Sequence, residues 1–160
     1  MLKTIAFLFL VVASVICYIP FLLTKLDVFR LQLGSYRYAG IPVIIGGLLF
    51  LVPAILSFAM KGKGTPAVFF ARYFSYLIGN EPARLITENV YRFTRNPMYL
   101  GVLLITAGEG IIFDHPVLLL YTCLLFIFFH VVIVFLEEPH LKKKYGIPYE
   151  EFLLKSKRWI

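Results

Sequence analysis

Two uncharged runs of 20 residues, Ile5 to Thr24 and Ile41 to Met60, restrict this chain more than any other feature. Each reaches the roughly 20 apolar residues that a helix needs to cross the hydrocarbon of a bilayer. Backbone N–H and C=O groups find no partners in lipid, so such a run must close its own hydrogen bonds as a helix. Two further runs follow. Pro97 to Phe113 is shorter and carries Glu109 near its end, while Pro116 to Leu136 holds a single ionisable group, His130. Only Asp114 and His115 separate them, which predicts a tight helical hairpin. The expected fold is an all-α integral membrane protein. It has about four transmembrane helices, interfacial helices and a short amphipathic C-terminal helix, in a single domain over 1–160.

Composition agrees and excludes other classes. Charged residues make up 16% of the chain, against roughly 25% in an average soluble domain. The net charge of +7 is therefore a topology and headgroup signal. A nucleic-acid binder needs a polar fold to display a basic face, so no nucleic-acid partner is expected. Cys17 and Cys123 lie in apolar runs with no disulfide or metal spacing. They are expected to be packing residues, and no metal site is expected. The first run can also be read as a signal peptide with Lys3 as its basic flank. Its apolar continuation to Leu23, and Ile16 before Cys17, favour a retained span.

Basic residues set the orientation. Lys61, Lys63, Arg72, Arg84, Arg92 and Arg95 lie between the second and third runs, and six more follow the fourth. With four spans these share a side with Lys3, leaving only Lys25, Arg30 and Arg37 opposite. Both termini and both polar segments are expected to be cytoplasmic. Between them "KGKGTPA", residues 61–67, reads as an interfacial loop, residues 67–78 as a helix lying in the interface, and Gly79 to Pro82 as a break.

The polar chemistry gathers in two places. The first is "YRFTRNPMYLG", Tyr91 to Gly101. Asparagine is a favoured N-cap and proline a favoured first helical residue, so a helix should start at Asn96-Pro97. Such a start leaves the N–H groups of Met98 to Leu100 without intrahelical partners and carries partial positive charge. With Arg95 beside it, the site suits a carboxylate or another anion. The simpler alternative is that Arg92 and Arg95 only snorkel to lipid phosphates. The second place is "HVVIVFLEEPHLKKKYGIPYEEF", His130 to Phe152. On a regular helix His130 and Glu137 fall about 20° from one face. A histidine inside a span is either functional or bonded to a neighbouring helix. Glu138 precedes Pro139 and is expected to be pushed from helical geometry. The alternative for both acids is ordinary solvation beside Lys142 to Lys144. Pro148 is expected to begin a tail helix with Tyr149, Phe152 and Leu153 on one face, and Trp159 to anchor it at the interface.

Together, "KGKGTPA", "LITENVYRFTRNPMYLG" and "EEPHLKKKYGIPYEEF" with a final "KRWI" resemble the core of the isoprenylcysteine carboxyl methyltransferase family, a relative of the phospholipid N-methyltransferases. The resemblance covers about Lys61 to Ile160; the two N-terminal spans, 1–60, match only in being hydrophobic. It implies a methyltransferase-like core at 61–160, S-adenosylmethionine as cofactor, and an amphipathic or lipid-like acceptor bearing a carboxylate or an amine. It also implies cofactor contacts at Leu85, Ile86, Tyr91, Asn96, Pro97, Met98, Tyr99 and Glu137. Arg95, His130 and Glu138 join this candidate set through their position beside those residues. No catalytic residue is assigned. Three departures stand out. Asn96 replaces the family's commonest histidine, and the stretch from Thr65 to Leu85 is longer than in many relatives. Ile133 stands near the family's substrate-contacting arginine, which weakens the case for a prenylcysteine carboxylate as acceptor. Two other readings compete: an NADPH-dependent membrane reductase of the sterol-reductase type and a non-catalytic membrane scaffold. Val102 after Gly101 counts against the reductase, which usually carries an acid there. The retained Tyr91, Pro97, Tyr99 and Glu137 count against the scaffold.

Overall fold

Lipid forbids unpaired backbone, and every described element is accordingly helical; the structure, a computed structural model, describes residues 10–57 and 85–160. The described residues hold five helices: α1 Leu10–Leu23, α2 Gly34–Ser57, α3 Pro97–Ile112, α4 Pro116–Tyr145 and α5 Ile147–Lys155. A 3₁₀ turn, Asn89–Arg92, leads into α3. The expected interfacial segment over 61–82 lies outside the described residues, as do Lys3 and the end of the second run.

Of the four expected spans, two are long and apolar enough to cross a bilayer: α2 with 24 residues and α4 with 30. The described part of α1 and all of α3 are shorter. At 1.5 Å per residue, the 16 residues of α3 reach about 24 Å, short of the roughly 30 Å hydrocarbon. Burial explains how so short a helix is used. Leu100, Gly101, Val102, Leu103, Ile105, Thr106, Gly108 and Gly110 are all buried, so α3 is the centre of the described bundle and its neighbours carry exposed apolar residues outward.

Glycine brings α2 and α3 together. A Cβ on Gly47 would stand 2.8 Å from the Gly101 carbonyl oxygen, and one on Gly101 would stand 2.8 Å from that of Gly47. Gly40 meets the Gly108 carbonyl in the same way, one heptad along the antiparallel pair. Small residues let backbones approach, which is how helices gain dispersion energy where no hydrophobic effect drives them together. Leu51 and Ile105 fill the space beside this seam, with Val12, Val15 and Ile16 of α1 packed on it. Polar cross-links add direction: Thr122 Oγ1 of α4 lies 3.0 Å from Thr106 Oγ1 of α3, and the Tyr121 hydroxyl donates to the Val15 carbonyl at 3.1 Å.

The expected tight hairpin is present. Helix α3 ends at Ile112, Asp114 takes a positive φ of 52°, and Pro116 opens α4. Residues before α2 fold over it: the Leu31 N–H donates to the Asp114 carbonyl, and Arg30 Nη1 to that of Phe113. The two cysteines are free and exposed, facing outward rather than into the packing.

Pro20 and Pro139 each follow a wide turn, whereas Pro53 lies inside α2 without one. The π segments Ser14–Tyr18 and Ile133–Glu137 end two residues before Pro20 and Pro139. Proline has no N–H and its ring clashes with the carbonyl four residues back; widening the preceding turn relieves the clash. Glu138 therefore stays helical, at φ −59° and ψ −46°. The expected break there is absorbed one turn earlier.

Candidate functional site

Helix α3 starts at Pro97 as expected, with Asn96 at the capping position. Asn96 does not cap it. Its Nδ2 donates instead to the Arg158 carbonyl at 2.9 Å, and its own N–H donates to Thr94 Oγ1. The start of α3 is therefore without a side-chain cap, and its N–H dipoles keep their attraction for negative charge.

Half a turn into α3, the Tyr99 hydroxyl donates to Glu137 Oε1 at 2.7 Å. Glu137 is 5% exposed, so its carboxylate is held in a desolvated place. The Tyr99 ring packs on Phe129 with centroids 4.7 Å apart. Tyr91, from the 3₁₀ turn, is buried nearby; burial and then the charge of Glu137 raise its hydroxyl well above the ordinary tyrosine range. Two tyrosines and one acid thus converge from three elements. Behind them Leu85, Ile86 and Met98 pack with Ala54, Tyr91, Tyr149 and Phe152. Helix α5 forms this wall, as its expected apolar face implied. Burial, with Glu138 next, pushes the Tyr149 hydroxyl up to about 12.

Glu138 points into a different set of contacts. Arg158 forks onto it, Nε to Oε1 at 2.7 Å and Nη2 to Oε2 at 2.9 Å, and Arg95 Nη2 adds a contact at 3.3 Å. Arg95 also donates from Nη1 to the Leu153 carbonyl, while its Nε is buried with no hydrogen-bond partner. The solvated or lipid-bound fate open to Arg95 and Glu138 in the sequence is thus replaced by a partly buried ion cluster.

His130 needs a correction as well. One extra residue in the wide turn Ile133–Glu137 shifts the helix register by about 100°, so His130 and Glu137 no longer share a face as a regular helix would have it. His130 Nδ1 accepts from Trp159 Nε1 at 3.3 Å, and Phe126 lies against both rings. Trp159, expected as an interfacial anchor, ties the chain end to α4. Ile133, expected near the place of the family's arginine, is 1% exposed and packed among its neighbours. Sequence reading missed Arg158 as a site component. Its only signal was the quoted "KRWI", since no periodicity links residues twenty apart.

These features define a class: an all-helical, membrane-associated protein with a buried acid and two tyrosines set at an uncapped helix start. Residues 34–147 match the phospholipid methyltransferase family, and the chain belongs to that family. No curated protein and no solved structure matches it. The matched region runs from the start of α2 to the first residue of α5, so it includes Tyr91, Tyr99 and Glu137 and stops short of Arg158. Family membership makes this a membrane methyltransferase of the phospholipid and isoprenylcysteine type.

Proposed function

We propose that the chain methylates an amphipathic, lipid-like acceptor, on a carboxylate or an amine, using S-adenosylmethionine bound at the mouth of α3. The bond from Tyr99 to the buried Glu137 carries this reading, because it sets a desolvated carboxylate beside an uncapped helix start. The residues fit the cofactor's groups. The N–H groups of Met98 and Tyr99, with the orphaned Arg95 Nε, suit its carboxylate. Glu137 suits its ammonium or ribose diol. Leu85, Ile86, Met98 and the rings of Tyr91 and Tyr99 suit the adenine and the sulfonium. Asn96 and Pro97 fix the backbone of the mouth, while Glu138 and His130 brace it through Arg158 and Trp159. When bound, S-adenosylmethionine supplies a methyl group already activated on sulfur.

What remains for the protein is alignment and exclusion of water. Phe135 and Leu136 beside Glu137 are exposed on the outer face of α4, a surface across which an acceptor can arrive from the bilayer. The sequence features behind the four-span reading also support a multi-pass membrane protein with both termini and the site on the cytoplasmic side.

Two measurements check this. In a thermal-shift titration, S-adenosylhomocysteine should raise the melting temperature of detergent-purified protein, as any ligand of the native state must. Stabilisation by NADPH alone would instead hand the site to the reductase. For topology, single cysteines at Tyr36 and Ile160, with Cys17 and Cys123 replaced, should label from outside and from inside respectively. Labelling of Ile160 from outside would overturn the orientation.

A further inference from the structure

We infer that Arg158, beyond the family-matched region, is a positioning residue that sets Glu137 against Tyr99; this rests on the methyltransferase reading above. One residue bonds both elements that carry the pair. Its guanidinium forks onto Glu138, the neighbour of Glu137, at 2.7 and 2.9 Å. Its carbonyl accepts from Thr94 Oγ1 at 3.1 Å and Asn96 Nδ2 at 2.9 Å, three residues ahead of Tyr99. The end of α4 needs such a tether. The π turn immediately before Glu138 replaces regular i to i−4 bonds with wider ones, and such turns often occur at functional sites. A planar fork resists rotation of the carboxylate it holds, which a lone ammonium cannot do.

The rest of the chain end is held without the guanidinium. The Arg95 N–H donates to the Lys157 carbonyl at 2.9 Å, Thr94 and Asn96 reach the Arg158 carbonyl, and Trp159 reaches His130. Truncating the side chain therefore frees Glu138 from its bidentate partner and leaves those anchors in place.

The test is a double-mutant cycle read by S-adenosylhomocysteine calorimetry, with the melting temperature of ligand-free protein measured alongside. Arg158→Gln should lose about three- to tenfold in affinity with an unchanged ligand-free melting temperature, because the arginine is partly solvated. Adding it to Glu138→Gln should cost nothing further, since partners in one network are not additive. Arg158→Lys, which keeps the charge, should stay weak. Wild-type affinity in Arg158→Gln, fully multiplied losses, full recovery with lysine, or a fall in the ligand-free melting temperature would each overturn the inference. Absence of binding by the wild-type protein would overturn the methyltransferase reading and this inference together.

Discussion

Glu137→Gln should reduce S-adenosylhomocysteine affinity by about ten- to a hundredfold, while Glu138→Gln loses tenfold at most. The two acids are neighbours in sequence and differ in surroundings. Glu137 is buried, and its Oε1 accepts the Tyr99 hydroxyl at 2.7 Å. A charged hydrogen bond to a buried ligand group is worth on the order of 1.5–3 kcal/mol, which converts to that fold-change. Glutamine keeps the shape and an acceptor oxygen for Tyr99 but removes the charge that an ammonium needs. Glu138 already spends its charge on Arg158 and Arg95, so its loss reaches the ligand only through positioning. Calorimetry on both variants, with folding checked by gel filtration, separates them. Equal losses would mean that the acids act as one unit.

The second large effect is on folding. Gly47→Leu or Gly101→Leu should prevent stable assembly of α2 on α3, whereas Gly46→Leu should be tolerated. At Gly47 an added Cβ meets the Gly101 carbonyl at 2.8 Å and the Ile105 N at 3.0 Å. These are backbone atoms that cannot rotate away, so the helices must separate. Overpacking of this kind costs about 1–3 kcal/mol and more where backbone must move, a large part of the roughly 5–15 kcal/mol that holds an ordinary domain together. At Gly46 nothing lies within 4 Å. The substitution there should gain up to about 1 kcal/mol of helix propensity. Detergent melting curves of the three variants decide the matter; equal behaviour of the Gly46 and Gly47 variants would remove the seam from the fold.

Much of this architecture was legible in the sequence because its causes are local. Asn96-Pro97 and Pro116 mark helix starts through proline's fixed φ, and Asp114-His115 leaves no room for anything but a hairpin. The apolar face of Tyr149, Phe152 and Leu153 announced helix α5. Other features depend on partners distant in sequence. Gly40 and Gly47 repeat at the same seven-residue spacing as Gly101 and Gly108, yet only the antiparallel pairing of α2 and α3 gives that spacing meaning. The π turn before Pro139 kept Glu138 helical and turned His130 away from Glu137, since an inserted residue leaves no compositional trace. Asn96 had two possible uses for its side chain, the helix it precedes and the Arg158 carbonyl, and only packing selected the second.

The most direct measurement is to incubate purified protein with methyl-labelled S-adenosylmethionine and a native lipid extract, and to separate the products. Label should pass into a lipid-soluble product in proportion to protein. That transfer should fall at least tenfold in Glu137→Gln when the cofactor is well below saturation. Folded wild-type protein that binds S-adenosylhomocysteine yet labels no lipid, or transfer untouched by Glu137→Gln, would contradict a methyl-transfer site built on Tyr99 and Glu137.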